Sequence, residues 1–283
     1  MLDEQFLHKL DALRPRLLSR ARGGAGGSRA SRMLGTSAEF SDFREYAPGD
    51  DIRRIDWNAY ARFDKLFLKL FMEEQEAHIT ILLDGTASMG EKWPCACQIA
   101  EAYAYAALSG GDRVRIAIAG EGGVSAAPFG TGRRDYLRLS SFAAAYTPKG
   151  QADLSQLVRA LTPYPKGLTL TISDFLWEDA GQKLFSALRF RGQEVCAVQV
   201  LAPQELRPAY SGALRLLDSE GAPALSLTVD ERLLRQYQDR LNRFLLSVRE
   251  NCHKNGAPYV LMDTGEKAED VLIRQFLQSG ILE

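Results

Sequence analysis

The chain has 283 residues, of which 46% are hydrophobic and 25% charged, with a formal net charge of −1. Such a composition supplies a substantial buried core in one large or two modest domains, and it argues against both disorder and the single-sign field of a nucleic-acid surface. The four cysteines show no Cys-x-x-Cys spacing, so neither structural zinc nor a disulfide framework is expected.

The first predicted element is a helix within residues 3–21, with Phe6, Leu10, Leu13 and Leu17 on one face. Lys9, Arg14, Arg16, Arg20, Arg22, Arg29 and Arg32 make this end basic, either as a contact surface or as a solvated arm. The apolar runs are strand-sized, short of the roughly 20 residues that cross a bilayer, and the start lacks the compact apolar core of a signal peptide. No membrane span and a cytoplasmic location are therefore expected. The Gly-rich stretch "ARGGAGGSRASRMLG" follows no strand and lacks the G-x-x-x-x-G-K-[ST] spacing, so it is a linker or loop rather than a phosphate cradle.

Residues 39–71, "EFSDFREYAPGDDIRRIDWNAYARFDKLFLKLF", concentrate charge around aromatic side chains. Pro48-Gly49 makes a turn into a capped helical turn, with Ile52 and Ile55 expected inward and Arg53 and Arg54 outward. "KLFLKLF" then alternates as a strand. Arg44, Asp50, Arg53, Arg54, Asp56 and Trp57 admit two readings. They form either an ion-pair network laid over aromatic packing or a docking surface for another protein, since Arg and aromatic residues are favoured at interface hot spots.

From residue 78 the pattern becomes regular. "HITILLD", "VRIAIAG", "LTLTISDF", "EVCAVQVL" and "PYVLMD" are apolar strand-length runs, separated by helical stretches near 93–109, 133–145, 153–161, 179–190 and 230–253. This alternation predicts an α/β fold, a doubly wound, mainly parallel sheet with helices on both faces. "GVSAAPFG" is the expected edge partner of "VRIAIAG", its Pro128 tolerable there. A hairpin insertion is placed at about 204–229, with its turn at Glu220-Gly221, and a last helix at about 266–278. The chain is thus divided into residues 1–75 and an α/β domain over 76–283.

In such sheets ligands gather beyond the carboxyl ends of the strands. Asp84 and Asp174 stand at two such ends, and Thr86 and Ser88 add hydroxyls on alternate residues. An all-oxygen group of this kind suits Mg²⁺ or Mn²⁺ better than zinc. The competing reading is local: Asp and Thr after a strand cap helices and satisfy backbone donors, and Asp174 can accept hydrogen bonds from the first loop with no ion present.

Asp84-Gly85-Thr86-Ala87-Ser88 resembles the D-x-S-x-S loop of von Willebrand factor A-type domains, which carry a metal-ion-dependent adhesion site on a doubly wound sheet. Residues 39–71 are similar to the signature of bacterial DUF58 proteins, in which that segment precedes a von Willebrand A-like domain. The resemblance implies metal ligation by Asp84, Thr86, Ser88 and Asp174. The family's second-loop threonine falls on Ala152, which offers no oxygen, so Asp153 or a water would have to substitute. It further implies a cytoplasmic adaptor working with a MoxR-type AAA+ ATPase, and with other von Willebrand A-like proteins, in chaperone-like assembly or maturation. Capture of a partner carboxylate through the divalent cation is the implied mechanism.

No catalytic residue is assigned, because the chain lacks a G-x-S-x-G elbow, an H-E-x-x-H motif and a dinucleotide fingerprint. A metal-assisted hydrolase using Asp84 and Asp174 stands as the enzyme alternative. A metal-free structural module with a degenerate site is the other.

Overall fold

A computed structural model describes residues 2–17, 39–48, 50, 52–72, 76–216 and 225–283. The Gly-rich stretch, Gly49 and the expected turn at Glu220-Gly221 lie outside the described residues. The chain divides into two compact units, Met1–Gly24 with Ala77–Glu283, and Ala25–Glu76. The N-terminal helix therefore groups with the α/β unit and not with the signature segment.

The larger unit is built on strands β3 (His78–Asp84), β4 (Arg113–Gly120), β5 (Gly123–Ala126), β6 (Gly130–Thr131), β7 (Gly167–Ser173), β8 (Gln193–Leu201) and β11 (Tyr259–Asp263). Their order in the sheet is β11-β8-β7-β3-β4-β5, with β6 also on β4. The pairs β3–β4, β3–β7, β7–β8 and β8–β11 are parallel, while β5 and β6 run antiparallel to β4. The chain winds outward from β3 in one direction and then, from β7, in the other. The switch point thus lies between β3 and β7, where the two candidate carboxylates end their strands.

Alternation along the strands supplies two cores. Ile79, Ile81 and Leu83 of β3 join one buried cluster with Ile116, Ile118, Leu170 and Ile172. Leu82 points the other way, into a cluster with Ala117, Ala197, Phe175 and Phe185. Helices α3 (Trp93–Ser109), α4 (Tyr136–Ala144) and α9 (Ala268–Ser279) feed the first cluster, and α5 (Leu154–Ala160), α6 (Gln182–Phe190) and α8 (Glu231–Lys254) feed the second. The many alanines of α3 let it nest deeply, and its Tyr103 meets Phe276 of α9 edge to face at 6.2 Å. A short helix, α7 (Pro203–Leu206), follows β8, and β9 (Gly212–Leu216) pairs antiparallel with β10 (Leu225–Val229) where the insertion is expected.

Close packing of the central strands leaves no room at one glycine. A methyl on Gly167, which opens β7 beside β3, would lie 2.0 Å from the His78 carbonyl oxygen. Because that neighbour is backbone in a paired strand, Gly167→Ala is expected to cost about 1–3 kcal/mol of stability. A denaturant midpoint unchanged from wild type would contradict it.

The expected N-terminal helix is corrected in length. Helix α1 spans only Glu4–Leu10, capped at the start by the Asp3 carboxylate, which accepts from the Phe6 amide. Pro15 disfavours helical backbone ahead of it and brings no amide hydrogen. Residues 14–16 instead pair antiparallel with the C-terminal segment. The Arg14 amide donates to the Glu283 carbonyl, the Glu283 amide donates back to the Arg14 carbonyl, and the Arg16 amide donates to the Ile281 carbonyl. Phe6, Leu10 and Leu17 are buried, as a shared face requires, although Leu17 reaches the core from extended chain.

The smaller unit has β1 (Glu39–Glu45) antiparallel to β2 (Phe67–Met72), with the register shifting between Phe40 and Asp42. Between them lie a 3₁₀ turn over Ile52–Arg54 and helix α2 (Trp57–Phe63). Ile55 is buried and bridges to Leu68, but Ile52 is 63% exposed, against the inward placement expected for it. The 3₁₀ turn ends at Arg54 and Ile55 lies in the bridge to Leu68 that follows, so the two isoleucines do not share a helical face. Among the described residues no helix is long and apolar enough to cross a membrane.

Candidate functional site

Asp84 ends β3 fully buried. One oxygen, Oδ1, accepts from the Thr86 amide at 3.0 Å and the Thr86 hydroxyl at 2.7 Å, a local turn that the D-x-T spacing dictates. The other, Oδ2, accepts from the Ser173 hydroxyl at 2.6 Å. Ser173 in turn accepts from the Phe175 amide at 2.9 Å, so one hydroxyl ties β3 to the loop after β7. Thr86 and Ser88 lie hydroxyl to hydroxyl at 3.1 Å. Phe175, buried and bulky, holds a left-handed φ of 54°. Residues of that kind keep such a conformation only where their surroundings enforce it.

The first loop is held down from outside by close approach. Tyr146 donates to the Gly85 carbonyl at 3.2 Å, the Lys149 amide donates to the same oxygen at 3.0 Å, and the Ala87 amide donates to the Gly150 carbonyl at 2.9 Å. A Cβ on Gly85 would fall 2.7 Å from the Tyr146 ring. The loop carrying Ala152 and Asp153 is thereby brought beside the loop carrying Asp84.

Lys92 supplies an ammonium that sequence reading missed. It precedes helix α3 and its side chain is 3% exposed, with Nζ donating to Asp174 Oδ2 at 2.8 Å and to Glu205 Oε1 at 2.7 Å. Glu205 comes from α7, where its other oxygen accepts from the Ala202 amide at 2.7 Å. Asp174 Oδ1 accepts from the Leu176 amide at 3.1 Å, and its backbone carbonyl accepts from Gln199 at 2.8 Å. Burial works against the Lys92 charge, but the Asp174 carboxylate and the two hydrogen bonds outweigh it and hold the amine above the usual lysine range. Asp84 is pushed up to about 6, first by burial and then by the Asp174 charge, with hydrogen bonds from Ser173 and Thr86 pulling the other way.

The sequence-derived ligand set is brought together only in part. Asp84, Thr86 and Ser88 form one hydrogen-bonded chain, and Asp174 is close enough to act on Asp84 electrostatically. Asp153 is spent elsewhere as the N-cap of α5, accepting from the Ser155 amide and hydroxyl and from the Gln156 side chain, with its acidity increased in consequence. Ala152 and Asp153 border a cleft of about 190 Å³ whose far wall includes Trp177 and Lys183. Among the described residues no group of three or more His, Cys, Asp or Glu is placed to hold a metal.

A divalent ion of the Mg²⁺ class requires near-octahedral oxygen ligation. The donors here do not fit that requirement. Ala152 offers no oxygen, Asp153 caps its own helix, and both Asp174 oxygens are committed, one of them to an ammonium.

The second group of predicted residues lies in the smaller unit. Asp50 accepts from the Ala47 amide and pairs with Arg44 at 2.8 Å, which together hold its carboxyl below the usual range. Asp56 is buried as the N-cap of α2, accepting from the Asn58 and Ala59 amides. Arg53 is exposed, Trp57 is 62% exposed, and the Arg54 side chain lies outside what is described.

Among curated proteins, the chain is 26% identical over 249 residues to "Uncharacterized protein Rv1480" of Mycobacterium tuberculosis and to "Uncharacterized protein Mb1516" of Mycobacterium bovis, covering 84% of this chain and 78% of each relative. Among solved structures it is similar to BatB from Bacteroides thetaiotaomicron, at 14% identity and a TM-score of 0.41 over 72% of this chain and 98% of that one. The SpRpn10 VWA domain aligns at 9% identity and a TM-score of 0.38, over 71% of this chain and 95% of that one. The family described as "Protein of unknown function DUF58" matches residues 42–244, which take in most of the charged aromatic segment and every strand of the large sheet but β11, and the chain belongs to that family.

Proposed function

We propose that the chain is a non-enzymatic protein-interaction module that docks a MoxR-type AAA+ ATPase through the signature segment. The observation that carries the interaction reading is the outer face of helix α2. Trp57, Tyr60 and Phe63, three residues apart along it, are 62%, 42% and 67% exposed, and Ile52 just ahead is 63% exposed. Trp57 and Tyr60 meet edge to face at 6.3 Å. Four large apolar side chains exposed within 12 residues are the kind of aromatic surface from which interface hot spots are drawn. The identity of the partner comes from the family resemblance, which also motivates the chaperone-like role.

The carboxylate loops at the switch point organise the rim of the larger unit, and no metal step is assigned to them. The test is a titration of the purified MoxR-type ATPase onto the chain by calorimetry, in EDTA. Trp57→Ala and Phe63→Ser are each expected to weaken binding about tenfold or more, the size of a buried aromatic anchor. Wild-type affinity in both variants would remove α2 from the interface.

A further inference from the structure

We infer that the Lys92 ammonium is the resident cation of the switch-point rim, a tethered charge that takes up Asp174, one of the two carboxylates a bound metal ion would draw on. Two independent observations lead there. The first is the bonding: Nζ lies 2.8 Å from Asp174 and 2.7 Å from Glu205, in a side chain that is 3% exposed. One ammonium thereby joins the approach to α3, the loop after β7 and the short helix α7. The Ser173 and Asp84 hydrogen bond then carries the connection on to the first loop.

The second observation is where the lysine stands. It is the N-cap residue of the 17-residue helix α3 and makes no side-chain cap hydrogen bond. Ser, Thr, Asp or Asn is favoured at that position because the first amides lack acceptors, and the helix dipole disfavours a cation there. Lysine fails both preferences. Its placement is explained by the two carboxylates it reaches, not by the helix it precedes.

An ammonium and a magnesium ion make different demands. The ammonium has three donors and is satisfied by hydrogen bonds near 2.8 Å, whereas Mg²⁺ requires about six oxygens at about 2.0–2.1 Å. Losing the second-loop hydroxyl, as at Ala152, removes a metal ligand but takes nothing from Lys92. The tethered cation is also present at full occupancy whatever the ionic composition, so the site is expected to be indifferent to chelators. The inference concerns what holds the rim together and stands apart from whether α2 binds a partner.

The experiment is a thermal unfolding series on the full chain in EDTA, in MgCl₂ and in MnCl₂, with manganese paramagnetic resonance as a direct readout of ion binding. The wild type is expected to give one Tm in all three buffers and to leave the manganese signal that of the free ion. Lys92→Met is expected to unfold at lower temperature in EDTA and to regain several degrees in MnCl₂, since an Asp174 oxygen freed from the ammonium is open to the ion. Saturable manganese binding by the wild type, lost in Asp84→Ala, overturns the inference. So does a Lys92→Met protein with wild-type Tm, or one that is destabilised yet as indifferent to manganese as the wild type. Should Lys92→Met fail to fold, Lys92→Arg keeps a charge in reach of both carboxylates, and folding of this variant with the wild type's metal indifference supports the inference. Folding of Lys92→Arg only when metal is added overturns it.

Discussion

Lys92→Met should lower the unfolding free energy by about 3–5 kcal/mol near neutral pH, the size expected when one partner of a buried ion pair is removed and the other is left behind. Asp174 is fully buried, and among the described residues its cationic partner is the Lys92 ammonium at 2.8 Å. Glu205→Gln should cost much less, because that side chain is 30% exposed and water replaces part of what is lost. The pKa direction agrees in sign. An amine raised on folding contributes stability throughout the range below its unfolded value, losing it only as pH climbs through the folded one, so the whole effect is present at neutrality. Urea denaturation of the two variants beside the wild type checks the ordering. A loss for Lys92→Met no larger than that for Glu205→Gln would contradict the prediction.

Asp84 should make the folded state more stable as the solution is acidified. Its carboxyl is raised from 3.8 to about 6, so between these values the folded chain holds a proton that the unfolded chain has released. The group's contribution is complete below the unfolded value and is lost as pH rises through about 6. The shift corresponds to about 3 kcal/mol. Asp84→Asn keeps an oxygen for the Thr86 donors and abolishes the buried charge. In EDTA at about pH 8 it should be more stable than the wild type by up to that amount, with the difference shrinking as pH falls through about 6. Denaturant midpoints of both proteins across that range make the comparison, in which groups common to the two cancel. A difference that stays constant with pH, or widens on acidification, would show that Asp84 is ionised at no cost.

The order of strands and helices was legible from residue 78 onward because each apolar run is strand-length and each intervening stretch has helical periodicity. "HITILLD" and "LTLTIS" fall within one residue of β3 and β7, which is why Asp84 and Asp174 were found at the switch point. The first helix was overextended because Leu13 and Leu17 continue its spacing, whereas Pro15 and the pairing of residues 14–16 with the C-terminal segment decide the backbone. Pattern along the chain cannot announce a partner more than 260 residues away. For the same reason Lys92 and Glu205, separated by 113 residues, left no signal. Asp153 was legible only as an acid. That its carboxylate is absorbed by Ser155 and Gln156 follows from the D-x-S-Q pattern of a helix cap.

The pairing of Arg14 and Arg16 with Ile281 and Glu283 bears on how the polypeptide could be divided. The larger unit is discontinuous in sequence, and its first piece carries Phe6 and Leu10 into the same core as Phe276 and Ile281. A backbone break between residues 24 and 77 would therefore produce two polypeptides that share one hydrophobic core and a ladder of backbone hydrogen bonds. The shorter fragment would be retained as a subunit, and the cut protein would migrate as a single species until it was denatured.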